Sequence, residues 1–598
     1  MNTRFPLYLI IALFSASIGA VLDFYLNNHE TQISGRVVPN FALLDHKGKF
    51  HKLYDYATSK AIILQTVASN CSSTKKVITQ LNALQKQHVG NNIKIFLINT
   101  APNEATDNLV AKLADSDIPL LMDDSQLVLE SLGITRTGEA VVINPQTWSI
   151  RYRGPIDNGI DTQSEQPKNN RQYLRNAINS VINDTSLKAF EHFTVGCPIN
   201  YIGNRATQAA ISYSDDLAPI LQKKCVQCHQ KGGIGPWAME EYANIKTWSE
   251  NIRNAIMMKT MPPWHADPAV GQFSHSRALS IEEQQTLIHW IDSGSPRGDK
   301  PDPLLNTKKE SIAEWPLGKP DLIIKVPSFK IPATGRLAYQ YARFPVPVSE
   351  DTWVRAVHMK PSNRAATHHI FAFVEYPETL KHQQPVWAEG ANGYFAAYVP
   401  GYPIFPFPDN SGRFLPKGSE IVFQRHYLTL GYPSEDNLEL GLYFHKSPPE
   451  MEYSIATAIN MKLKIPAHAA SHKETAEIII QKPAQIHAIY PHMHYRGKSI
   501  RFTAHTPDGN QQPLLSVPNY NFHWQTSYQL AQPQSVPVGT KISVEAIFDN
   551  SILNPANPDP GKAVGWGPLS DNEMLVGYIM MTSKIEGADK KVSERLGQ

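Results

Sequence analysis

The feature that most constrains the fold is a change of pattern near residue 319. From there to about residue 590, short apolar or alternating runs recur, as at Trp353–Val357, Ile421–His426 and Ser499–Ala504. Pro, Gly, Asn and Asp separate these runs, so the pattern predicts strands joined by turns. About 270 residues is long for one sandwich. We therefore expect two tandem all-β sandwiches, over residues 319–455 and 456–590.

The first third of the chain has a different pattern, in which strands alternate with helices. Ala61–Thr66 and Ile93–Asn99 read as strands, and Thr74–Gln87 reads as an amphipathic helix. This alternation predicts a layered α/β domain, which we assign to residues 34–190.

Residues 200–300 read as a small all-α domain, with helices expected over Asp215–Gln230, Tyr242–Met258 and Ser280–Ser293. A polar, proline-bearing linker follows over residues 301–318. The fold class expected for the whole chain is therefore multidomain.

Charge and cysteine content exclude two classes of protein. The 598 residues include 56 Lys and Arg against 54 Asp and Glu, and we see no concentrated basic tract, so nothing favours nucleic acid as a partner. There are four cysteines, too few for a disulfide framework.

The N-terminal segment, residues 1–22, predicts export. Arg4 precedes an apolar run from Phe5 to Leu22. This pattern is typical of a signal peptide, and its length approaches the roughly 20 residues of a membrane helix. Both a cleaved signal and an uncleaved anchor remain open. The body of the protein is expected in the periplasm or outside the cell.

The strongest single motif is Cys225-Val226-Gln227-Cys228-His229. Two thiols at this spacing can form thioethers to haem, and the adjacent histidine becomes an axial ligand. For the sixth ligand we favour Met261, in Met-Pro-Pro, because a proline pair holds a loop extended. Met257, Met258 and His265 are the alternatives. With the helix that ends at Trp290–Gly294, these features resemble the cytochrome c fold, which implies haem c.

Five histidines and a methionine in the β half suggest two copper sites. His368 and His369 are adjacent, and one of them must twist or bulge if both are to share a site with His426. His492 and His494 are two residues apart, so on a strand they face the same side. Imidazole suits copper, and a thioether such as that of Met574 suits Cu(I).

In this order, the motifs resemble the copper type II, ascorbate-dependent monooxygenases, such as peptidylglycine α-hydroxylating and dopamine β-monooxygenases. The resemblance implies one copper on His368, His369 and His426, and an oxygen-binding copper on His492, His494 and Met574. We favour Met574 over Met580 and Met581 because the segment from Asp571 to Met580 resembles the family's methionine strand. Gln424 and Tyr578 match as well. Two jelly-roll domains facing across a solvent-filled cleft are implied.

The departures from that family concern the substrate. Peptidylglycine enzymes hold the substrate carboxylate with an Arg and an Asn, and the matching positions here are Tyr490 and Val576. That clamp is missing, so a glycine-extended peptide is not the expected substrate. His358 and His487 lie near the motifs and read as ordinary structural residues or supports of the ligands.

The N-terminal domain resembles thioredoxins and peroxiredoxins. Its active-site position holds Cys71, but the partner of a C-x-x-C pair is Thr74, and the loop Thr135–Ala140 lacks proline. A docking module and a single-cysteine redox site both remain open. We hypothesise a bridge between Cys71 and Cys197.

The sequence therefore predicts an exported copper monooxygenase that hydroxylates a C–H bond of a small molecule or peptide with O2. Electrons would come through the fused haem, from ascorbate or a periplasmic redox protein. The alternative is a non-catalytic haem and copper electron carrier.

Overall fold

The computed structural model describes residues 31–32, 36–102, 106–113, 116–159, 171–184, 190–202, 211–305, 315–383, 393–399 and 406–585. The predicted export segment, residues 1–22, lies outside this part of the chain. Within it, no helix is both long enough and apolar enough to cross a membrane. By its internal contacts the chain divides into two compact units.

The first unit contains a nine-stranded sheet. Its strands are β1 (Thr31–Gln32), β2 (Ala42–Asp45), β3 (Phe50–Lys52), β4 (Ala61–Val67), β5 (Ile93–Asn99), β6 (Leu120–Met122), β7 (Ala140–Asn144), β8 (Ser149–Gly154) and β9 (Phe190–Glu191). Their order is β1-β9-β8-β7-β4-β5-β6-β2-β3. The central strands β4, β5 and β6 are parallel, and β7 is antiparallel to β4.

Four helices accompany this sheet: α1 (Thr74–Gln87), α2 (Thr106–Leu113), α3 (Leu127–Leu132) and α4 (Tyr173–Ile182). The apolar face of α1, with Val77 and Leu81, packs in one core with Ile63 of β4 and Leu97 of β5. Helices α1 and α2 lie on the crossovers between parallel strands, as the predicted α/β alternation requires.

Four more helices follow: α5 (Ala218–Lys224), α6 (Tyr242–Thr247), α7 (Ser249–Met257) and α8 (Ile281–Asp292). The predicted helix over 215–230 starts in a π-helical turn at Tyr213–Leu217 and ends at Lys224, because the Cys225–His229 motif continues as tight turns. The predicted helix over 242–258 is broken at Trp248, whose ring stacks on Trp237 at 5.2 Å.

The region 200–300 does not form a compact unit of its own. Residues 251–260 and 280–289 belong to the first unit, and residues 212–250 and 261–279 belong to the second. Within the first unit, His289 of α8 lies 2.7 Å from Glu130 of α3. Part of the helical region therefore packs with the α/β domain, whereas the choice between a docking module and a single-cysteine redox site stays a prediction.

The second unit is dominated by strands. In its first half they are β10 (Leu322–Lys325), β11 (Phe329–Ile331), β12 (Gln340–Pro345), β13 (Thr352–Pro361), β14 (Thr367–Glu375), β15 (Ala396–Tyr398), β16 (Ser411–Leu415), β17 (Glu420–Tyr427), β18 (Ser434–Asp436) and β19 (Leu438–Phe444).

In its second half they are β20 (Met451–Ile459), β21 (Lys464–Ile465), β22 (His472–Ile479), β23 (Ala484–His492), β24 (Gly497–His505), β25 (Gln511–Val517), β26 (Tyr528–Val536), β27 (Lys541–Phe548), β28 (Val564–Gly565) and β29 (Val576–Lys584).

One eight-stranded sheet runs through both halves, in the order β10-β19-β13-β16-β20-β29-β23-β26. The halves join where β16 pairs in parallel with β20, at Ser411 with Met451 and Gly412 with Glu452. A four-stranded sheet, β12-β17-β14-β15, shares a core with the first half, and β22-β27-β24-β25 shares a core with the second. The predicted pair of β-sandwiches is thus linked by a shared sheet.

The predicted boundary at residue 455 needs correction. Residue 455 lies in the middle of β20, which pairs with β29 along its whole length. The first half ends with β19 at Phe444, so the division falls at residues 445–450. The sequence pattern does not reveal such a boundary, because the residues before and after it are all predicted to form strands.

Candidate functional site

The predicted three-histidine cluster forms on two neighbouring strands. His369 of β14 is the direct cross-strand partner of His426 of β17, and the register shifts between Thr367 and His369. This β-bulge makes His368 the extra residue, so that adjacent histidines can point to one side. The bulge expected from the sequence is therefore present.

The three imidazoles are arranged around one point. Each offers a ring nitrogen, and the three nitrogens lie within 4.8 Å of one another. The Nδ1 atoms of His368 and His369 are 3.0 Å apart, about the separation of two nitrogens that each lie roughly 2.0–2.1 Å from one metal ion. Nδ1 of His426 is buried without a hydrogen-bond partner among the described residues. These are the features of a metal site.

The second pair of histidines lies at the end of β23. His492 is the last residue of this strand and His494 follows it, with ring centroids 5.2 Å apart. Met493, between them, is buried in the core of the second sandwich. The alternation places the two imidazoles on the same side, as predicted.

Hydrogen bonds set the tautomers of this pair. Nδ1 of His492 donates to Oε1 of Gln525 at 2.7 Å, and Nδ1 of His494 donates to the backbone carbonyl of Asn572 at 3.3 Å. Both acceptors are oxygens, so Nδ1 carries the proton and Nε2 keeps its lone pair. Nε2 is then the atom available to a metal, the usual arrangement for a ligating histidine.

Glu573 connects this pair to Met574. Its carboxylate accepts hydrogen bonds from the backbone N–H groups of His494 and Met574 through Oε1, and from that of Arg496 through Oε2. Glu573 is fully buried, and burial raises its pKa to about 7. It fixes the backbone of two predicted ligands without pointing a side chain at the metal.

One histidine of the first group, His369, and the whole second group, His492, His494 and Met574, line one small cavity of about 20 Å³ together with Tyr578. Gln424 also lines it and donates from Nε2 to the hydroxyl of Tyr341 at 2.7 Å. A cavity of this size holds one or two waters. The resemblance implied a solvent-filled cleft instead. Among the described residues there is no such cleft here, because apolar side chains of both halves, including Phe371, Phe373 and Val576, pack into one core.

Burial keeps all five imidazoles neutral. It lowers the pKa of His368 and His494 to about 3, and that of His426 and His492 to about 4. Burial also lowers the pKa of His369, and repulsion from the nearby histidines adds to the effect. The neutral imidazole is the form that binds metal ions.

The two other histidines near the motifs lie elsewhere. His358 packs edge-on against Trp315 at 5.1 Å, and Nε2 of His487 lies 2.9 Å from the Thr582 hydroxyl. Neither contacts a predicted ligand in these interactions. Tyr490, in place of the family's clamping arginine, stacks on Tyr578 at 5.6 Å.

The Cys225–His229 motif lies in a series of tight turns after α5. Cys225 and Cys228 are partly exposed and not joined by a disulfide. Nδ1 of His229 donates to the backbone carbonyl of Trp237 at 3.1 Å, which leaves Nε2 for a metal. A Cβ at Gly235 would lie 2.8 Å from Nδ1 of His229, so only glycine fits against this ring.

The candidates for the sixth ligand lie at and after the end of α7. Met257 is buried in that helix, Met258 and Met261 are partly buried, and His265 is buried in the following loop. The same loop places Trp264 against Tyr528 of the second sandwich at 5.0 Å. The choice of Met261 stays a prediction.

In the α/β domain, the hypothesised bridge between Cys71 and Cys197 is present, with the two Cα atoms 6.0 Å apart. The segment around Cys197 pairs with the loop that lacks proline. Thr137 N–H donates to the Cys197 carbonyl at 2.8 Å, and Ile199 N–H donates to the Thr135 carbonyl at 3.0 Å. Thr74 is structural, because its hydroxyl donates to the Ala68 carbonyl at 2.6 Å.

Sequence reasoning did not identify three further residues of the site and its surroundings: Gln525, Glu573 and Arg413. Gln525 lies in a loop without periodicity, Glu573 lies in the segment matched for its methionine, and Arg413 lies on a short strand between turns. Each has polar neighbours in the sequence, so no local pattern distinguishes it.

Comparison with known proteins supports the N-terminal fold. Residues 34–158 match the model of the AhpC/TSA family. Together with the order of its strands, this match confirms the predicted thioredoxin-like α/β fold, and it covers residues 34–158 of the predicted 34–190. No curated protein matches the chain.

Among solved structures, the chain is similar to a hypothetical protein from Sinorhizobium meliloti, with 20% identity, 28% of this chain and 95% of that chain covered, and a TM-score of 0.25. It is similar to a thiol:disulfide interchange protein from Bacteroides sp., with 20% identity, coverage of 19% and 79%, and a TM-score of 0.18. It is also similar to StoA from Bacillus subtilis, with 16% identity, coverage of 20% and 87%, and a TM-score of 0.18.

Proposed function

We propose that the protein is an extracytoplasmic copper-dependent monooxygenase that hydroxylates a C–H bond of an organic substrate with O2. The observation that carries the proposal is that two groups of metal ligands line one cavity: His369 of the first group lies there with His492, His494 and Met574. Three nitrogens fit one ion, and two nitrogens with a thioether fit a copper that cycles through Cu(I).

When bound, the copper ions would supply oxygen activation and electron storage, and a c-type haem would supply further electrons. The chain's own residues hold the imidazoles neutral, orient them through Gln525 and the Asn572 carbonyl, and exclude bulk water from the cavity. Exclusion of water protects a reactive oxygen species from side reactions.

We infer that the helical region 200–300, although divided between the two units, carries a c-type haem as a cytochrome c does. The support is that Cys225 and Cys228 are not joined by a disulfide and that His229 is oriented by its hydrogen bond to the Trp237 carbonyl. Covalent fusion raises the effective concentration of an electron donor. Ascorbate or a periplasmic redox protein would then reduce the haem, and the apolar N-terminal run is the reason to expect export.

The test uses the full chain loaded with copper and haem, reduced, and mixed with 18O2 and a pool of small organic compounds. We expect haem oxidation together with a product that carries one 18O atom. Oxidation of haem and copper without an oxygenated product would support the electron carrier instead.

Met574→Leu is the matched variant, because Leu and Met have similar volumes and only the thioether is lost. We expect this variant to keep the haem spectrum and the three-histidine site and to lose product formation. Undiminished product formation in Met574→Leu would remove Met574 from the site.

A further inference from the structure

A second, larger cavity lies in the all-β unit beside the metal ligands. Its volume is about 350 Å³, within the usual range for small-molecule sites. Both halves of the unit contribute to its walls, for example Phe407 and Arg413 from the first and Tyr453 and Met580 from the second. None of these residues belongs to the predicted metal sites.

This cavity follows directly on the metal site along two neighbouring strands. On β29, Tyr578 lines the small cavity and Met580, two residues later, lines the large one. On β23, His492 lines the small cavity and Tyr490 lines the large one. Residues i and i+2 share a face about 7 Å apart, and Tyr394 lines both cavities, so the two spaces are adjacent.

Tyr490 also connects the two cavities through a hydrogen bond. Its hydroxyl donates to Oε1 of Gln525 at 2.8 Å, and the same oxygen accepts from Nδ1 of His492. A molecule that contacts Tyr490 is therefore two hydrogen bonds away from a predicted metal ligand.

Arg413 gives the large cavity a charge. Its side chain is 8% exposed, and among the described residues no carboxylate is in direct ion-pair contact with it, although the charge of Glu452 acts on it from a longer distance. Nη1 donates to the backbone carbonyls of Tyr394 and Phe395, while Nε is buried and has no hydrogen-bond partner among the residues that the structure describes. The guanidinium faces the rings of Phe407 at 5.2 Å and Tyr453 at 4.9 Å. A buried guanidinium without a carboxylate in direct contact is costly, and an anionic ligand would supply that contact.

We propose that this cavity binds the organic substrate, and that the substrate is a small carboxylate with an aromatic or alkyl body. Arg413 takes the carboxylate, since guanidinium and carboxylate match in charge and geometry. The rings of Phe407 and Tyr453 pack on the apolar body, and the end at Tyr394 and Tyr490 faces the metal site. That the bound molecule is hydroxylated rests on the proposed function; the binding itself does not.

The test measures binding to the copper-free full chain by calorimetry, with 3-phenylpropionate and the neutral 3-phenylpropanamide as probes. We expect the acid to bind at least tenfold more tightly than the amide. In Arg413→Gln the preference should disappear. The exposed Arg501→Gln, which changes the net charge equally, should keep it.

Met580→Trp fills the cavity and leaves Arg413 in place, so it should weaken both probes. Thermal unfolding shows whether Arg413→Gln folds. If it does not fold, Met580→Trp still tests whether the probes bind in this cavity. Equal binding of acid and amide to the wild-type chain, binding of neither, or undiminished binding to Met580→Trp would overturn the proposal.

Failure here is distinct from failure of the proposed function. The binding measurement needs neither copper nor turnover, so a negative result leaves the metal sites untouched. Conversely, tight acid binding without an oxygenated product would contradict the monooxygenase and leave the anion site standing.

Discussion

Glu573 shows how a single residue can organise a metal site from outside it. A carboxylate that accepts three backbone N–H bonds holds the chain on both sides of the cavity, at His494, Met574 and Arg496. Hydrogen bonds to a charged group contribute about 1.5–3 kcal/mol each. Arg496 in turn donates from Nε to Asn550 at 2.8 Å, which fixes the surrounding loop.

We expect Glu573→Gln to weaken copper at the His492, His494 and Met574 site about 10–100-fold, as loss of such supporting residues does. The amide keeps the shape of the carboxylate but replaces one acceptor oxygen with a donor. Copper competition with a chelator measures the change, and the three-histidine site should be unaffected. The exposed Glu477→Gln is the control. Equal weakening of copper binding in Glu573→Gln and Glu477→Gln would exclude a role of Glu573 in positioning the ligands.

At the scale of elements, the two faces of β29 pack against different parts of the all-β unit. Met580, Tyr578 and Val576 face the seam between the halves, whereas Gly577 faces the core of the second sandwich. A Cβ at Gly577 would lie 2.5 Å from Phe502 and 2.8 Å from Val544. The strand can approach the second sheet this closely only because position 577 has no side chain.

Gly577→Val should therefore destabilise the all-β unit by about 1–3 kcal/mol through overpacking. Denaturant unfolding, followed by tryptophan fluorescence, measures this. Gly565→Ala, whose added Cβ would meet its nearest atom at 3.6 Å, should change stability little. Equal stability of the two variants would show that the structure has room for a side chain at position 577.

At the scale of the whole molecule, the four cysteines fall into two pairs. Cys71 and Cys197 form a disulfide that closes a loop across 126 residues and stabilises the α/β unit. Cys225 and Cys228 are not joined by a disulfide, and they are the pair that we propose to bind haem.

For the haem-loaded chain we expect no alkylated cysteine without reduction and two after reduction, since thioethers do not react and the disulfide does. Intact mass measures both states. Cys197→Ser should show one alkylated cysteine before reduction, at Cys71. Two alkylated cysteines in unreduced, haem-loaded protein would contradict the bridge.

Much of this organisation could be predicted from the sequence because it depends on local spacing. The i, i+2 pair at His492 and the bulge forced by the adjacent His368 and His369 follow from strand geometry. The pairing of β16 with β20, which moved the boundary from 455 to 445–450, depends on contacts distant in sequence. Gln525 and Arg413 were missed for the same reason: a polar residue in a loop or on a short strand gives no periodic signal.

The most direct test of the central claim is the number of copper ions bound per chain, counted by mass spectrometry of the metal content. We predict two ions for the wild type, one for His426→Ala, one for His494→Ala and none for the double variant. A single ion in the wild type, lost in both single variants, would show one shared site and contradict the account of two separate copper centres.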